Sequence, residues 1–189
     1  MKTRPIIFAG LNMNRIGNWI ETYSGNRFYP MDPHDDEIDI YDIAHSLSLQ
    51  CRYNGHCPKF YSVAEHSVYV ARELQPSMML AGLLHDAAEA YLSDIPRPIK
   101  RMLPVYKEAE EKIETCVNRL FKVDILAPEI RVADDTIMAT EIKQFGMNKR
   151  NDWTLAASPC DRVIAYLSPL EAEAEFIGLY NFIRWGGNG

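Results

Sequence analysis

An ionisable pair interrupts the most apolar helical pattern of the chain. Residues 78–89 read MMLAGLLHDAAE, and His85 and Asp86 stand near the middle of this stretch. So apolar a segment is predicted to be a buried helix, and an ionised carboxylate is costly to bury without a partner. A bound cation is the simplest general compensation. The pattern therefore predicts that other parts of the chain supply further ligands.

Length and composition favour one globular domain and argue against two kinds of partner. The chain has 189 residues, of which 47% are hydrophobic, enough for a single real core. Its net charge of −6 argues against a nucleic-acid polymer as partner. No apolar run approaches the roughly 20 residues that span a bilayer, so no membrane is expected. The four cysteines include no CxxC pair, which favours a reducing, cytoplasmic setting.

Helical spacing dominates the chain after a polar start, and the fold class predicted is all-α. Residues 1–40 are rich in turn formers and are expected to form a mostly irregular segment with at most one hairpin, packed on the domain. Residues 41–184 are expected to form one helical bundle, and 185–189 a tail. The helices are predicted around residues 43–51, 62–74, 78–89, 104–121, 128–145 and 168–183. Asp39 or Asp42 is expected to cap the first, and a capping box at Ser168 the last.

Two further residues are candidate ligands beside the pair. His66 lies on the apolar face of its helix; taken alone, it would more often be a hydrogen-bonded core residue. Asp134 shares an inward helical face with Ile137 and Glu141, whereas a surface aspartate pair is the plain alternative for Asp134 and Asp135. A set of imidazoles and carboxylates suits Mn²⁺, Fe²⁺, Co²⁺, Ni²⁺ or Zn²⁺ better than Ca²⁺.

The sequence around these ligands resembles the HD-domain metal-dependent phosphohydrolases. The resemblance rests on the order His66, His85-Asp86, Asp134, and on the local runs VAEHSVYVA at 63–71, LHDAAE at 84–89 and SDIPRPIK at 93–100. It covers roughly residues 41 to 145. Within the family it is similar to the small bacterial and phage branch of deoxyribonucleoside 5′-monophosphatases and phage dATP triphosphohydrolases.

The resemblance implies a role for each matching residue and one divalent transition metal, with additional Mg²⁺ for a triphosphate substrate. The residues fall into three groups: metal ligands His66, His85, Asp86 and Asp134; catalytic acids Glu89 and Asp94; and substrate-binding residues Arg52, Tyr53, Lys100 and Arg131. For Arg97 and Arg101 a solvated surface position is the favoured interpretation.

The expected activity is hydrolysis of 2′-deoxynucleotides by metal-activated water. The interpretation leans to a dATP-like triphosphate, with a 5′-monophosphatase as the alternative. A non-catalytic nucleotide sensor, a structural zinc protein and a cyclic-nucleotide or guanosine-tetraphosphate hydrolase are weaker hypotheses. The expected partner is a small nucleotide, and the family branch implies a homo-oligomer, at least a dimer, in the cytoplasm (the host's, if the chain is phage-encoded).

Overall fold

The described part of the chain contains eight α-helices and one short hairpin. The computed structural model describes residues 15–150 and 152–186. Strands β1 (Ile20–Glu21) and β2 (Arg27–Phe28) pair antiparallel. The helices are α1 (Ile40–Leu49), α2 (Val63–Arg72), α3 (Met79–Leu83), α4 (Glu89–Leu92), α5 (Arg97–Lys100), α6 (Pro104–Phe121), α7 (Pro128–Phe145) and α8 (Pro169–Trp185). The all-α prediction is confirmed.

Short polar side chains begin three of these helices. The Asp39 carboxylate accepts a hydrogen bond from the Tyr41 amide at the start of α1. The Ser62 hydroxyl does the same for the Glu65 amide at the start of α2. Ser168 and Glu171 form the predicted capping box of α8. These caps satisfy amide groups that no helical carbonyl can reach.

The prediction of one continuous helix through His85 and Asp86 is wrong. Helix α3 ends at Leu83, and the chain crosses residues 84–88 in turns before α4 begins at Glu89. In the turns, the Ala87 amide donates to the Leu84 carbonyl and the Glu89 amide to the Asp86 carbonyl, both three residues back. This tighter winding changes the directions of the two side chains relative to a regular helix.

Helix α2 lies at the centre of the fold. Nine of its ten residues, 63–71, are buried, and it packs against α1, α3, α7 and α8. Gly82 allows α3 to approach α2 closely, because a Cβ there would lie 2.4 Å from Leu74 Cδ1 and 3.1 Å from Ala71 Cα. This close contact brings the turn that follows α3 next to His66.

The described part of the N-terminal segment, residues 15–40, packs on the helical body. The Phe28 ring is fully buried and stacks on Tyr91 with ring centroids 3.9 Å apart. Arg119 on α6 donates two hydrogen bonds of 2.6 Å to the Asp35 carboxylate. Residues 1–14 and 187–189, which include most of the predicted tail, lie outside the described residues. Among the helices described, none is both long and apolar enough to cross a lipid bilayer.

Candidate metal centre

Two imidazole rings meet in the crease between α2 and the turn after α3. The Nδ1 atom of His66 lies 2.6 Å from Glu141 Oε1, and that of His85 lies 2.8 Å from the Gly82 carbonyl oxygen. Since both partners are acceptors, each Nδ1 carries a proton and donates it. Each Nε2 of a neutral ring then presents a lone pair. Neither Nε2 atom has a hydrogen-bond partner within residues 15–150 and 152–186, although both are buried.

The Asp134 and Asp86 carboxylates lie near these Nε2 atoms. Asp134 Oδ1, from α7, lies 3.2 Å from His66 Nε2. Asp86 Oδ2 lies 3.2 Å from His85 Nε2 and 3.9 Å from His66 Nε2. One atom each of His66, His85 and Asp134 lie within 4.8 Å of one another, as ligands about 2.0–2.2 Å from a shared ion would. His66, His85 and Asp134 could therefore hold a metal ion.

The charges of this cluster fit a cation. Burial acts to lower the pKa of His66, but the Glu141 and Asp134 carboxylates raise it to about 9. Burial acts to raise the pKa of Asp134, yet His66 and His85 hold it at about 2. The same balance keeps the pKa of Asp86 far below its usual range, with Arg52 contributing. With this pKa, metal-free His66 carries a second proton on Nε2 at neutral pH. The cluster thus attracts positive charge, and a divalent ion that displaces this proton would bind the Nε2 lone pair beside the carboxylates.

Glu141 is an important residue that the sequence interpretation did not identify. It is fully buried on α7, and its carboxylate accepts hydrogen bonds from His66, Tyr53, Arg52 and, at 2.7 Å, the Tyr61 hydroxyl. Burial acts to raise the pKa of Glu141, but Arg52 and His66 lower it to about 2. A carboxylate that holds the distal nitrogen of a histidine ligand fixes the ring's tautomer and orientation. Its place on the Asp134 face of α7, seven residues on, was the available signal.

Glu141→Gln is expected to weaken metal binding about 10–100-fold, because the amide cannot hold His66 with the same charge and geometry. Titration with Mn²⁺ or Co²⁺ by calorimetry measures the change. Glu65→Gln is the matched control: Glu65 is also fully buried, but it binds Tyr69 and the 165–167 amides. Both variants should lose stability, but only Glu141→Gln should lose metal affinity. Equal affinities in the two variants would contradict this role.

Glu89 and Asp94 lie beside the ligands, and Gln50 fixes their backbone. The Gln50 amide donates to the Glu89 carbonyl at 3.0 Å and accepts from the Asp94 amide at 3.0 Å. Glu89 is buried, and its Oε2 lacks a hydrogen-bond partner in the described chain. Burial raises the pKa of Glu89 well above its usual range, and Asp86 and Asp94 add to this effect. Asp94 is half-buried, and burial likewise raises its pKa. Both predicted acids therefore belong to this cluster.

Arg52 lies between Glu141 and Asp86. Its guanidinium lies 3.3 Å from Glu141 Oε2 and 3.7 Å from Asp86 Oδ2. Its Nε is buried without a hydrogen-bond partner among the described residues. The hydroxyl of Tyr53, which follows Arg52, donates to Glu141. Arg52 is therefore a buried cation at the edge of the candidate metal centre.

The other predicted cations are arranged differently from one another. Lys100 forms an ion pair with Glu110 on α6. The structure does not bring Arg131 into the cluster: its side chain is 86% exposed, and Asp135, one turn on, lies 4.0 Å away. Arg97 is exposed, as expected, and its guanidinium also lies 3.2 Å from Asp134 Oδ2. Arg101 is exposed, as expected. Arg97 begins the short helix α5 and contacts Asp134 on α7, a contact that the sequence pattern does not indicate.

Glu114 on α6 is predicted to lower the stability of the protein at neutral pH. Burial and the neighbouring Glu110 raise the pKa of Glu114 from 4.5 to about 7, with Lys100 opposing. A raised folded-state pKa stabilises the protein below about pH 4.5 relative to higher pH, and this contribution is lost as pH rises toward about 7. Near pH 8, the free energy of unfolding of Glu114→Gln should therefore exceed that of the wild type by about 1 kcal/mol, after allowance for solvent screening.

Urea unfolding at about pH 4 and pH 8 measures this difference. The gain should disappear at the acidic pH. Glu111→Gln is the control, because Glu111 lies on the same helix, is exposed and faces Lys107. A gain for Glu114→Gln that is the same at both pH values would contradict the assigned cause.

Comparison with known proteins defines the family. No protein-family model matches the chain. The chain is 36% identical over 168 residues to the uncharacterised protein YfdR of Escherichia coli K12, and the alignment covers 87% of this chain and 94% of YfdR. It is 33% identical over 142 residues to an uncharacterised protein of Rhodobacter capsulatus, with 67% and 72% covered. The chain belongs to the family of YfdR. Both relatives are uncharacterised proteins, and their names state no activity.

Proposed function

We propose that this protein is an HD-domain metal-dependent phosphohydrolase that acts on 2′-deoxynucleotides. One observation carries the proposal: two buried Nε2 atoms that have no hydrogen-bond partner among residues 15–150 and 152–186 lie near the Asp86 and Asp134 carboxylates, and the chain adds a buried acid, Glu89. The order of these residues in the chain matches the motif on which the resemblance rests. A purely structural histidine pair would not need these carboxylates next to its Nε2 atoms.

The proposed cofactor is one divalent transition metal held by His66, His85, Asp86 and Asp134. This mixed set suits Mn²⁺, Fe²⁺, Co²⁺, Ni²⁺ or Zn²⁺. When bound, such an ion supplies Lewis acidity toward a phosphoryl oxygen, lowers the pKa of a water molecule and favours the ionised form of Glu89. Additional Mg²⁺ would accompany a triphosphate substrate.

The chain's own residues are proposed to position and deprotonate the attacking water. Glu89 accepts its proton, and the Gln50 contacts hold the Glu89 backbone in place for this task. Arg52 offsets negative charge on the phosphoryl oxygens, since positioning and electrostatics dominate phosphoryl transfer. Asp94 is proposed to act near the sugar and leaving group, with Tyr53 at the sugar's side. Arg97 supplies further positive charge beside Asp134. Lys100 remains a proposed substrate contact, although Glu110 already offsets its charge.

The length of the phosphate chain gives two candidates. The resemblance leans to a dATP-like triphosphate. A second candidate, the deoxyribonucleoside 5′-monophosphate, is favoured by two observations: Glu110 already neutralises Lys100, and Arg131 faces solvent. Fewer free cations favour a substrate with fewer phosphate charges.

A non-catalytic nucleotide sensor and a structural zinc protein are the remaining alternatives. Glu89 argues against both, because its Oε2 is buried with no hydrogen-bond partner in the described part of the chain, which costs stability that neither a sensor nor a structural zinc site requires. The proposed ligand is a small nucleotide rather than a nucleic-acid polymer or a membrane. The protein is also proposed to be a cytoplasmic homo-oligomer, at least a dimer.

Phosphate release from a panel of deoxynucleotides tests the function. The protein is incubated with dAMP, dATP and the corresponding ribonucleotides, with Mn²⁺, Co²⁺ or Zn²⁺ and with or without a chelator. We expect chelator-sensitive hydrolysis that favours the deoxy substrates. Chromatography of the products separates monophosphatase from triphosphohydrolase activity. Tight nucleotide binding without turnover would instead support the sensor.

A further inference from the structure

Two cysteine thiols are in contact at the edge of the candidate site. The Sγ atoms of Cys51 and Cys57 lie 3.5 Å apart, and both residues are half-buried. They immediately precede and follow the segment 52–56, which begins with Arg52 and Tyr53. The proposed hydrolysis uses neither thiol.

The loop between these cysteines is held at its base. Cys51 pairs with Ser62 in an antiparallel bridge, and the Arg52 amide donates to the Tyr61 carbonyl at 2.9 Å. The Cys57 thiol donates to the Arg52 carbonyl at 3.7 Å. These contacts hold the two sulfur atoms near each other in the folded chain.

The inside of the same loop is conformationally strained. Tyr53 and Asn54 have φ angles of 56° and 52°, in the left-handed region that residues with a Cβ seldom adopt. A covalent link across the base would restrict the unfolded chain as well as this strained turn. Such a link would act on the segment that carries Arg52.

We propose that Cys51 and Cys57 are a redox modification site, at which a peroxide forms a reversible intramolecular disulfide. A disulfide needs its sulfur atoms about 2.05 Å apart, so the two Sγ atoms must approach each other by roughly 1.5 Å. The Cys51 sulfur attacks the peroxide, the O–O bond breaks, and a sulfenic acid and water form. The Cys57 sulfur then attacks the Cys51 sulfur, the S–O bond breaks, and a second water leaves. Two thiols lose two electrons and two protons to one peroxide.

The environment of Cys57 disfavours it as the first nucleophile. Burial and the neighbouring Cys51 thiol raise the pKa of Cys57 to about 11, so little thiolate is present at neutral pH. A thiol of this kind is a slow first nucleophile toward peroxide. It can still resolve a sulfenic acid that forms in contact with it, because proximity replaces diffusion.

Peptide mapping of the full-length protein tests the proposal, and it does not depend on the proposed hydrolase activity. Trypsin cleaves after Arg52 and so separates the two cysteines, which then remain joined only through a disulfide. After treatment with excess hydrogen peroxide, we expect the peptides 28–52 and 53–59 to appear linked, two thiols per chain to be lost, and dithiothreitol to reverse both changes. We also expect the Tm to rise on the order of 5 °C.

Variants of the other cysteines provide the controls. Cys116→Ser and Cys160→Ser should form the linked peptides as the wild type does, because those thiols contact Pro33 and Thr140 instead. Cys51→Ser and Cys57→Ser should each form none. Sulfinic or sulfonic acids at Cys51 or Cys57, disulfides to other cysteines, or four unchanged thiols in the folded wild type would each overturn the proposal.

Discussion

Asp86→Ala is expected to lower kcat/KM for deoxynucleotide hydrolysis by more than about 10⁴-fold, beyond the usual range for loss of a general base. Asp86 Oδ2 faces both imidazoles at 3.2 and 3.9 Å and also faces Arg52 at 3.7 Å. Removing this carboxylate takes away a proposed ligand and a negative charge, and it leaves Arg52 with Glu141 as its sole ion-pair partner in the described chain. Steady-state kinetics with saturating Mn²⁺ measures the loss.

Asp135→Ala is the control for this variant. Asp135 follows the proposed ligand Asp134 but lies about 4.0 Å from Arg97 and Arg131 and takes no part in the cluster. It should keep kcat/KM within about threefold of wild type, because both of its ion pairs are long and made to exposed arginines, and such pairs are worth little. Comparable losses in the two variants would contradict the role of Asp86.

Glu89→Gln is expected to lower kcat by about 10²–10⁴-fold while leaving metal affinity unchanged. The amide has nearly the same shape, so it fits the buried position, but it cannot accept a proton from water. This separation of rate from binding distinguishes a general base from a ligand. Kinetics and calorimetric titration of the same preparation provide the two quantities.

The matched control here is Glu129→Gln, an exposed glutamate in the first turn of α7. It should behave as wild type in both measurements. A Glu89→Gln protein that hydrolyses deoxynucleotides at the wild-type rate would remove Glu89 from the mechanism. One that loses the metal would make it a ligand.

Helices with strong terminal signals could be predicted from the sequence, and irregular ones could not. Helices α6 and α7 have the predicted bounds, because each has a proline in its first turn and a left-handed residue after its last. The turn through His85 and Asp86 was predicted as helix, since its residues keep an apolar helical spacing. Its winding depends on contacts such as that of the His85 ring with the Gly82 carbonyl, which spacing does not encode.

The residues nearest the proposed ion were accessible to sequence interpretation, whereas their supporting contacts were not. His66, His85 and Asp134 lie close enough to share an ion, and Asp86 lies near both imidazoles, while their role as ligands stays a prediction. Glu141 was seen only as part of an inward face, because a buried carboxylate gains its role from partners on α2 and the loop after α1. The directions of Arg97 and Arg131 depend on how α5 sits against α7, a tertiary relation that no local pattern contains.

Titration of the metal-free protein with Mn²⁺ or Co²⁺ tests the central claim most directly. Calorimetry of the wild type should give about one ion bound per chain. His85→Asn should abolish this binding, while His45→Asn should retain it, because His45 contacts Glu173 and Tyr23 elsewhere. A folded wild-type protein that binds neither ion, or a His85→Asn protein that binds as tightly as the wild type, would contradict the account.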